Sequence, residues 1–441
     1  MRDRVDVPPR PPRRAPASQD GGGRGYDDGM RDTELYRQLL GLEAPWTVSS
    51  VDLQVKGREV HVHVEHVEGH SFECPECKRA LPVYDHAAER SWRHLDSCQF
   101  LTFLHARPPR VECPEHGVRQ ARLPWAEPRS RFTALFERLV IDLLLETSLL
   151  GAARILGITW DEAWHIMERS VARGRALKRT FGARRIGVDE KAIAKRHKYV
   201  TLVCDLDMGS VEFIADDRRE ESLNEYFELL TDDEKAGIEA VAIDMWKPYV
   251  NAIRRHVPRA DEKIVFDRFH VMQHMLRAVD HVRRREHRTL SSQGDETLKG
   301  SKHLWLYSRE NLPPGQTDRF RELRDEHLKT SRAWAIKESL RDLWSYVRRG
   351  WAEKHWKRWY FWATHSRLAP VVSVARTIQR HIDNVLTYFT NRVTNATSEG
   401  LNSKIQTVKQ RSAGFRNPEH FKTAIYFHCG GLDLYPAIPT H

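Results

Sequence analysis

An α/β fold with a mixed sheet is predicted by three observations. Val241 to Ile243 and Ile264 to Phe266 are short apolar runs that end on Asp244 and Asp267. The stretch Pro248 to His256 between them has helical period, so residues 237–275 read as a βαβ unit. Upstream, three further strand-like runs and a helix at Ser222 to Leu230 extend the sheet, and downstream residues 276–390 are largely helical and interrupt it. Acids that follow strands lie at the carboxyl edge, where α/β sheets place their chemistry.

Composition narrows the partner before any motif is considered. The chain has 441 residues, too many for one core. Lys and Arg number 71 against 61 Asp and Glu, a formal net charge of +10 with a pI near 9.3. That balance favours an anionic polymer. No apolar run reaches the roughly 20 residues of a membrane span, and no signal-peptide core is present, so a cytoplasmic location without membrane contact is expected. The six cysteines are too few and too unevenly spaced for a disulfide framework. Residues 1–29 contain RVDVPPRPPRRAP and GGGRG with almost nothing apolar to bury, and they read as a disordered leader. This leader is either a basic arm or a start placed upstream of the true one at Met30, which opens the helix-like RDTELYRQLLGL.

The first folded stretch is β-structured. Val51, Leu53 and Val55, then Val60, Val62 and Val64, alternate around Lys56 and Gly57, as in a hairpin. His61 and His63 fall on its polar face and are read as solvated. CPEC at Cys74 to Cys77 and VECPEHG with Cys113 and His116 then repeat one spacing. Each pair can close a tight turn around an ion, and together they supply the four thiolate and imidazole ligands of a tetrahedral structural zinc. Cys98 or His105 can stand in for one of them. Residues 30–125 therefore form an N-terminal domain with a zinc-binding site.

From Thr133 to Lys178 the period is helical. Leu135, Leu139, Leu143 and Leu144 suggest one stripe. Two helices then meet at Gly157, the second opened by Thr159 with Glu162 three residues on. With Arg169, Arg173 and Arg175 at its end, residues 126–180 read as a helix-turn-helix that docks on DNA, against the plainer reading of a core helical hairpin.

The strands RRIGVDE, KYVTLVCDLD and SVEFIAD precede the βαβ unit. The order β-β-β-α-β-α-β, with Asp189 ending the first strand and Asp244 the fourth, is that of an RNase H-like sheet, in which those strands are neighbours. Residues 181–275 form the first part of this core and 391–435 its C-terminal helices. On the helix 394–412, Leu401, Ile405 and Val408 form the apolar stripe, with Glu399, Asn402 and Gln406 opposite. Glu399 occupies the position of a third acid. Inside the insertion, Trp305, Trp334, Trp344, Trp351, Trp356, Trp359 and Trp362 mix with basic residues. Stacking on bases is one reading; the helical spacing favours a core stripe.

GVDE at 187–190, AIDMWKPY at 242–249, FDRFHV at 266–271 and TSEGLNSKI at 397–405, with the upstream CPEC and Cys113/His116 pairs, resemble the bacterial DDE transposases of the ISL-three insertion-sequence family. The resemblance runs from Met30 to Tyr435. It implies a zinc domain, a helix-turn-helix and an RNase H-like core interrupted before the Glu. It also implies Asp189, Asp244 and Glu399 as catalytic acids that hold Mg2+ or Mn2+, with Asp267 and Glu190 outside the metal site. The expected activity is binding of terminal inverted repeats, DNA strand cleavage and strand transfer, by a homo-oligomer on double-stranded DNA in the nucleoid. A silent transposase-derived regulator and an RNase H-like nuclease are the alternatives.

Overall fold

In the computed structural model, residues 31–437 are described apart from 179–181, 195–197, 327, 394–395 and 413. The leader at 1–29 and Met30 lie outside them. The chain divides into two compact units that meet at Phe136/Glu137.

The first unit opens with α1 (Asp32–Leu39) and continues through eight strands: β1 (Trp46–Gln54), β2 (Glu59–His66), β3 (Ser71–Glu73), β4 (Ala80–His86), β5 (Arg90–Ser97), β6 (Phe100–Ala106), β7 (Pro109–Cys113) and β8 (Gly117–Gln120). They form two sheets, ordered β1-β2-β6-β5 and β3-β4-β7-β8. The expected hairpin is β1–β2; the alternation holds on β2, with Val60, Val62 and Val64 buried, but not on the first strand, where Val51 is half-buried and Leu53 and Val55 are exposed toward the hairpin end. Trp46 and Trp92 both pack edge-on against Trp125 and centre this core. His61 and His63 are half-buried rather than solvated. His61 Nδ1 lies 2.9 Å from His105 Nε2, and the rings of His63 and His105 stack.

The second unit begins within α2 (Ala134–Glu146), followed by α3 (Leu149–Leu156) and α4 (Trp160–Leu177). On α2 the buried face is Phe136, Val140, Ile141 and Leu144, while Leu139 is exposed; the stripe is rotated from the leucines that suggested it. Gly157 ends α3 with φ 65°, a conformation that suits a residue without Cβ. Thr159 and Glu162 close a capping box on α4.

A five-stranded sheet follows, built from β9 (Arg185–Ala194), β10 (Lys198–Asp205), β11 (Ser210–Asp216), β12 (Ala240–Ile243) and β13 (Ile264–Phe266) in the order β11-β10-β9-β12-β13. β9, β10 and β11 are antiparallel, and β12 runs parallel to both β9 and β13. The helices α5 (Glu220–Glu228), α6 (Asp232–Gly237), α7 (Lys247–His256) and α8 (Ala260–Lys263) connect the strands. Val241, Ile243, Ile264 and Phe266 are essentially inaccessible, which explains their uninterrupted apolar runs.

α9 (Arg268–Ser291) leads into a helical block of α10 (Lys302–Leu306), α11 (Thr317–Asp325), α12 (Lys329–Arg341), α13 (Arg349–Thr364), α14 (Ala369–Gln379), α15 (Ile382–Leu386) and α16 (Tyr388–Asn391). The core of the sheet continues into it without a break, from Val188 and Ile243 to Trp305, Trp334, Trp356 and Trp359. Those four tryptophans are core. Trp356 donates to Gln379 and Trp359 to the Ile336 carbonyl, both at 2.8 Å. Trp351 and Trp362 remain exposed, so the stripe covers only part of the set. The chain ends with α17 (Ala396–Arg411) and α18 (Pro418–Cys429). Among the described residues no helix is long and apolar enough to cross a membrane.

Candidate functional site

In the first unit, Cys74 follows β3, Cys113 ends β7, and Cys77 and His116 sit in the turns that come next. One ligand atom from each of the four lies within 4.8 Å of all the others. Cys77 Sγ is 3.7 Å from Cys113 Sγ, and His116 Nδ1 is 3.8 Å from Cys74 Sγ and 3.5 Å from Cys113 Sγ. Ligands about 2.3 Å from a common zinc at tetrahedral angles stand roughly 3.8 Å apart, so the quartet fits that ion. Burial alone would raise the Cys113 thiol. Backbone N–H groups of Glu115 and His116, together with the His116 ring and Cys77, outweigh it and bring the thiol to about 6, toward the ligating thiolate. Cys98 is exposed in the β5–β6 turn and His105 pairs with His61, so neither belongs to the quartet.

In the second unit the strand register carries the acids. β12 pairs with β9 as Ala240↔Arg185, Val241↔Ile186 and Ala242↔Gly187. Continued for two residues, this offset sets Asp244 beside Asp189. Asp244 follows β12 directly, but Asp189 does not end its strand: β9 continues to Ala194, held beyond Gly187 by β10 alone, with Leu202 opposite Asp189. The expectation of a strand end here is corrected.

Asp189 is tightly held. Its Oδ1 accepts from the Glu190 N–H at 2.7 Å and its Oδ2 from Asn402 Nδ2 at 2.5 Å. Burial nonetheless raises its carboxyl above the usual range, and Asp244 adds repulsion, against the Glu190 N–H, His270 and Asn402. Asp244 Oδ1 accepts from the Met245 N–H at 2.5 Å, and its Oδ2 lies 3.5 Å from His270 Nδ1. Glu190 also has a raised carboxyl, through burial first, and pairs with Arg218 at 3.6 Å.

Asp267 is 5 % exposed and caps α9, with its Oδ1 accepting from the Phe269 N–H at 3.2 Å; its Oδ2 is buried without a partner among the described residues. Burial raises this carboxyl, with Glu399 and Asp189 contributing repulsion. Glu399 is exposed in the first turn of α17. Among the described residues the Cys/His quartet is the only group gathered closely enough to hold an ion; Asp189, Asp244 and Glu399 are not so gathered. One helical turn beyond Glu399, Asn402 is the α17 residue that reaches Asp189. His270 and Asn402 were not identified as site residues from sequence. The spacing of Asn402 from Glu399, three residues along one helix face, was the available signal.

The helix pair also alters an expectation. Arg169 and Arg173 turn inward to Glu137, which is 1 % exposed, at 2.5 and 3.5 Å. Arg175 lies over the Tyr426 ring. The exposed side of the pair instead carries Arg154, Ile155, Trp160, Asp161 and His165.

Three family models match the chain. A transposase model covers residues 186–425, a zinc finger of the IS204/IS1001/IS1096/IS1165 transposases covers 70–116, and the helix-turn-helix domain of transposase family ISL3 covers 121–171. Similar proteins include the transposase for insertion sequence element IS1557 of Mycobacterium tuberculosis, 27 % identical over 88 % of this chain and 94 % of the relative. Another is the transposase for insertion sequence element IS1001 of Bordetella parapertussis, 29 % identical over 79 % and 86 %. With the transposase model alone spanning more than half of its length, the chain belongs to the ISL3 family of insertion-sequence transposases, enzymes that cleave DNA and transfer its ends.

Proposed function

We propose that this chain binds the terminal inverted repeats of its own element, cuts the DNA there and joins the freed 3′ ends to a target, and that Asp189, Asp244 and Glu399 are its catalytic acids. The observation that carries this reading is the register that sets Asp244 beside Asp189, both reached by His270 or Asn402 from flanking helices. The sheet order and the helix bearing Glu399 support an RNase H-like core over 181–275 and 391–435, interrupted by a helical insertion at 276–390. It follows a zinc-binding domain over 30–125 and a helix-turn-helix over 126–180.

Asp189 and Asp244, side by side, offer the hard oxygen donors that Mg2+ or Mn2+ takes, and a cation there relieves the repulsion that Asp244 adds to the burial raising the Asp189 carboxyl. A divalent pair supplies charge that activates a water or a 3′-hydroxyl and stabilises the leaving oxygen. The protein's own part is to orient Asp189 through Asn402 and the Glu190 N–H, and to place Glu399 at the end of α17. Cys74, Cys77, Cys113 and His116 hold a structural zinc in the N-terminal unit. The enzyme acts as a homo-oligomer on double-stranded DNA in the cytoplasm, at the nucleoid.

The test uses duplexes that carry the element's own ends, identified from the DNA flanking the gene. Asp189→Asn, Asp244→Asn and Glu399→Gln should each abolish cleavage and joining while DNA affinity stays near wild type. Substantial joining by Glu399→Gln would show that the third acid is misplaced. Cutting without joining by the wild type would favour a nuclease.

A further inference from the structure

The helix α9 starts at the acids and runs away from them. Asp267 caps it, and in its first turn His270 Nδ1 lies 3.5 Å from Asp244 Oδ2. His274, Arg277, His281, Arg284 and Arg288 follow at alternating steps of four and three residues. With 3.6 residues to a turn, all six fall within about 40° of one line along the helix, and that line is about 27 Å long. The opposite side carries Val271, Met275, Val279 and Val282, all buried, and the helix packs against α10, α12 and α14.

Arg277, His281, Arg284 and Arg288 are exposed, and the acids of the helix do not balance them. Asp280 is shared between Arg283 and Arg284, at 2.7 and 3.1 Å. Glu286 turns its carboxylate to the N–H groups of Lys329 and Thr330 at the start of α12, both at 2.7 Å. Arg277 donates to the Gln273 amide at 2.8 Å, and neither it nor Arg288 has an ion pair among the described residues. Like charges three and four residues apart destabilise a helix, so the row calls for an external anion.

We propose that this row seats the sugar–phosphate backbone of duplex DNA where it leaves the catalytic acids, with Arg277, Arg284 and Arg288 each on a phosphate. Guanidinium forks match phosphate oxygens, and these three, over about 16 Å, span about five base pairs of duplex. A second copy of α9 would set like charges against the row, whereas DNA presents anions repeated along a rod, as the arginines are. Backbone contacts carry no sequence information; they fix the register in which the duplex meets the acids. That the row begins at the cleavage point rests on the reading of Asp244 as a catalytic acid; that it holds DNA does not.

The full-length chain carrying Asp244→Asn, so that no strand is cut, is titrated at a series of salt concentrations with duplexes that span an element end and its flank. Each phosphate contact adds about 0.9 to the slope of log affinity against log salt, so Arg277→Gln, Arg284→Gln and Arg288→Gln together should lower that slope by about 2 to 3. Removing the same charge from α11, through Arg319→Gln, Arg321→Gln and Arg324→Gln, should leave the slope as it is. Single methylphosphonates, each deleting one phosphate charge, are then placed at every step on both sides of the cleavage point. A run of positions next to that point should weaken binding of the parent severalfold and leave the α9 variant indifferent. A run inside the element identifies its terminal segment as the DNA held, and a run outside identifies the flank. The proposal is overturned if the α9 variant keeps the parent's slope, if the α11 variant loses as much, or if no methylphosphonate separates the α9 variant from the parent. Sensitive positions remote from the cleavage point would overturn the placement. Cleavage by Asp244→Asn at the wild-type rate would instead refute the catalytic assignment, while the slope would still report on α9.

Discussion

Replacing Asn402 with Ala tests how Asp189 is prepared for metal. The Asn402 amide donates to Asp189 Oδ2 at 2.5 Å, its own Oδ1 is buried without a partner among the described residues, and its main-chain carbonyl accepts from Lys191 Nζ at 3.0 Å. An amide kept half unsatisfied contributes little net stability, because a buried unpaired acceptor costs about 1–3 kcal/mol. The fold should therefore tolerate its removal. A hydrogen bond to an ionised acceptor is worth about 1.5–3 kcal/mol, which at about 1.4 kcal/mol per decade is roughly a 10- to 100-fold effect. The loss falls on the ionised form of Asp189. Without Asn402, burial and the Asp244 charge are opposed by the Glu190 N–H, His270 and the nearby Lys191 ammonium but no longer by the amide, so the carboxyl rises further. Strand cleavage by Asn402→Ala, followed across pH and magnesium concentration, should be slower by about that factor at neutral pH and low magnesium. Its acid limb should move to higher pH, and saturating magnesium should recover most of the rate. An unchanged rate and limb would refute the reasoning. So would a loss that neither pH nor magnesium relieves.

Three further outcomes follow. Metal analysis of the purified chain should give about one structural zinc by the four-ligand rule, and Cys74→Ser with Cys113→Ser should remove it; undiminished zinc would refute the quartet. Thr159→Ala removes the hydroxyl half of a capping box, in which the Glu162 N–H donates to Thr159 Oγ1 at 3.2 Å, and leaves the half in which the Thr159 N–H donates to the Glu162 carboxylate at 2.9 Å. It should cost about 1 kcal/mol in denaturant titration and weaken DNA binding as the temperature rises. Asp267 has a raised carboxyl, so its contribution to stability is complete below the ordinary carboxylate range and is lost as pH rises through the raised value. The metal-free wild type should therefore lose more melting temperature between pH 4 and 8 than Asp267→Asn, whose amide keeps the cap acceptor; equal slopes would sink this reading.

What was legible in the sequence was local. Gly157, Thr159 and Glu162 mark the helix pair because a left-handed turn and a capping box are completed within a few residues. The Cys74/Cys77 and Cys113/His116 pairs were legible for the same reason: each turn closes on itself, and only their meeting is long-range. Burial on both faces likewise announced β12 and β13. Arg169 and Arg173 turn inward, which charge alone does not reveal, because Glu137, their buried partner, sits on another helix; Arg175 stays exposed. Asn402 was missed because its role depends on contact with a residue 213 positions away. Asp189 shows why a strand end was expected where none exists. An apolar run stops where enclosure on both faces stops, whereas a strand stops where backbone pairing stops. β12 pairs with β9 only as far as Gly187, while β10 holds β9 well beyond it. From Val188 onward β9 therefore keeps one strand partner, and α17 supplies further contacts: Asn402 donates to Asp189 and Lys409 to the Ala192 carbonyl. Asp189 thus meets a helix from inside a strand, where a carboxylate more often does so from a strand's end.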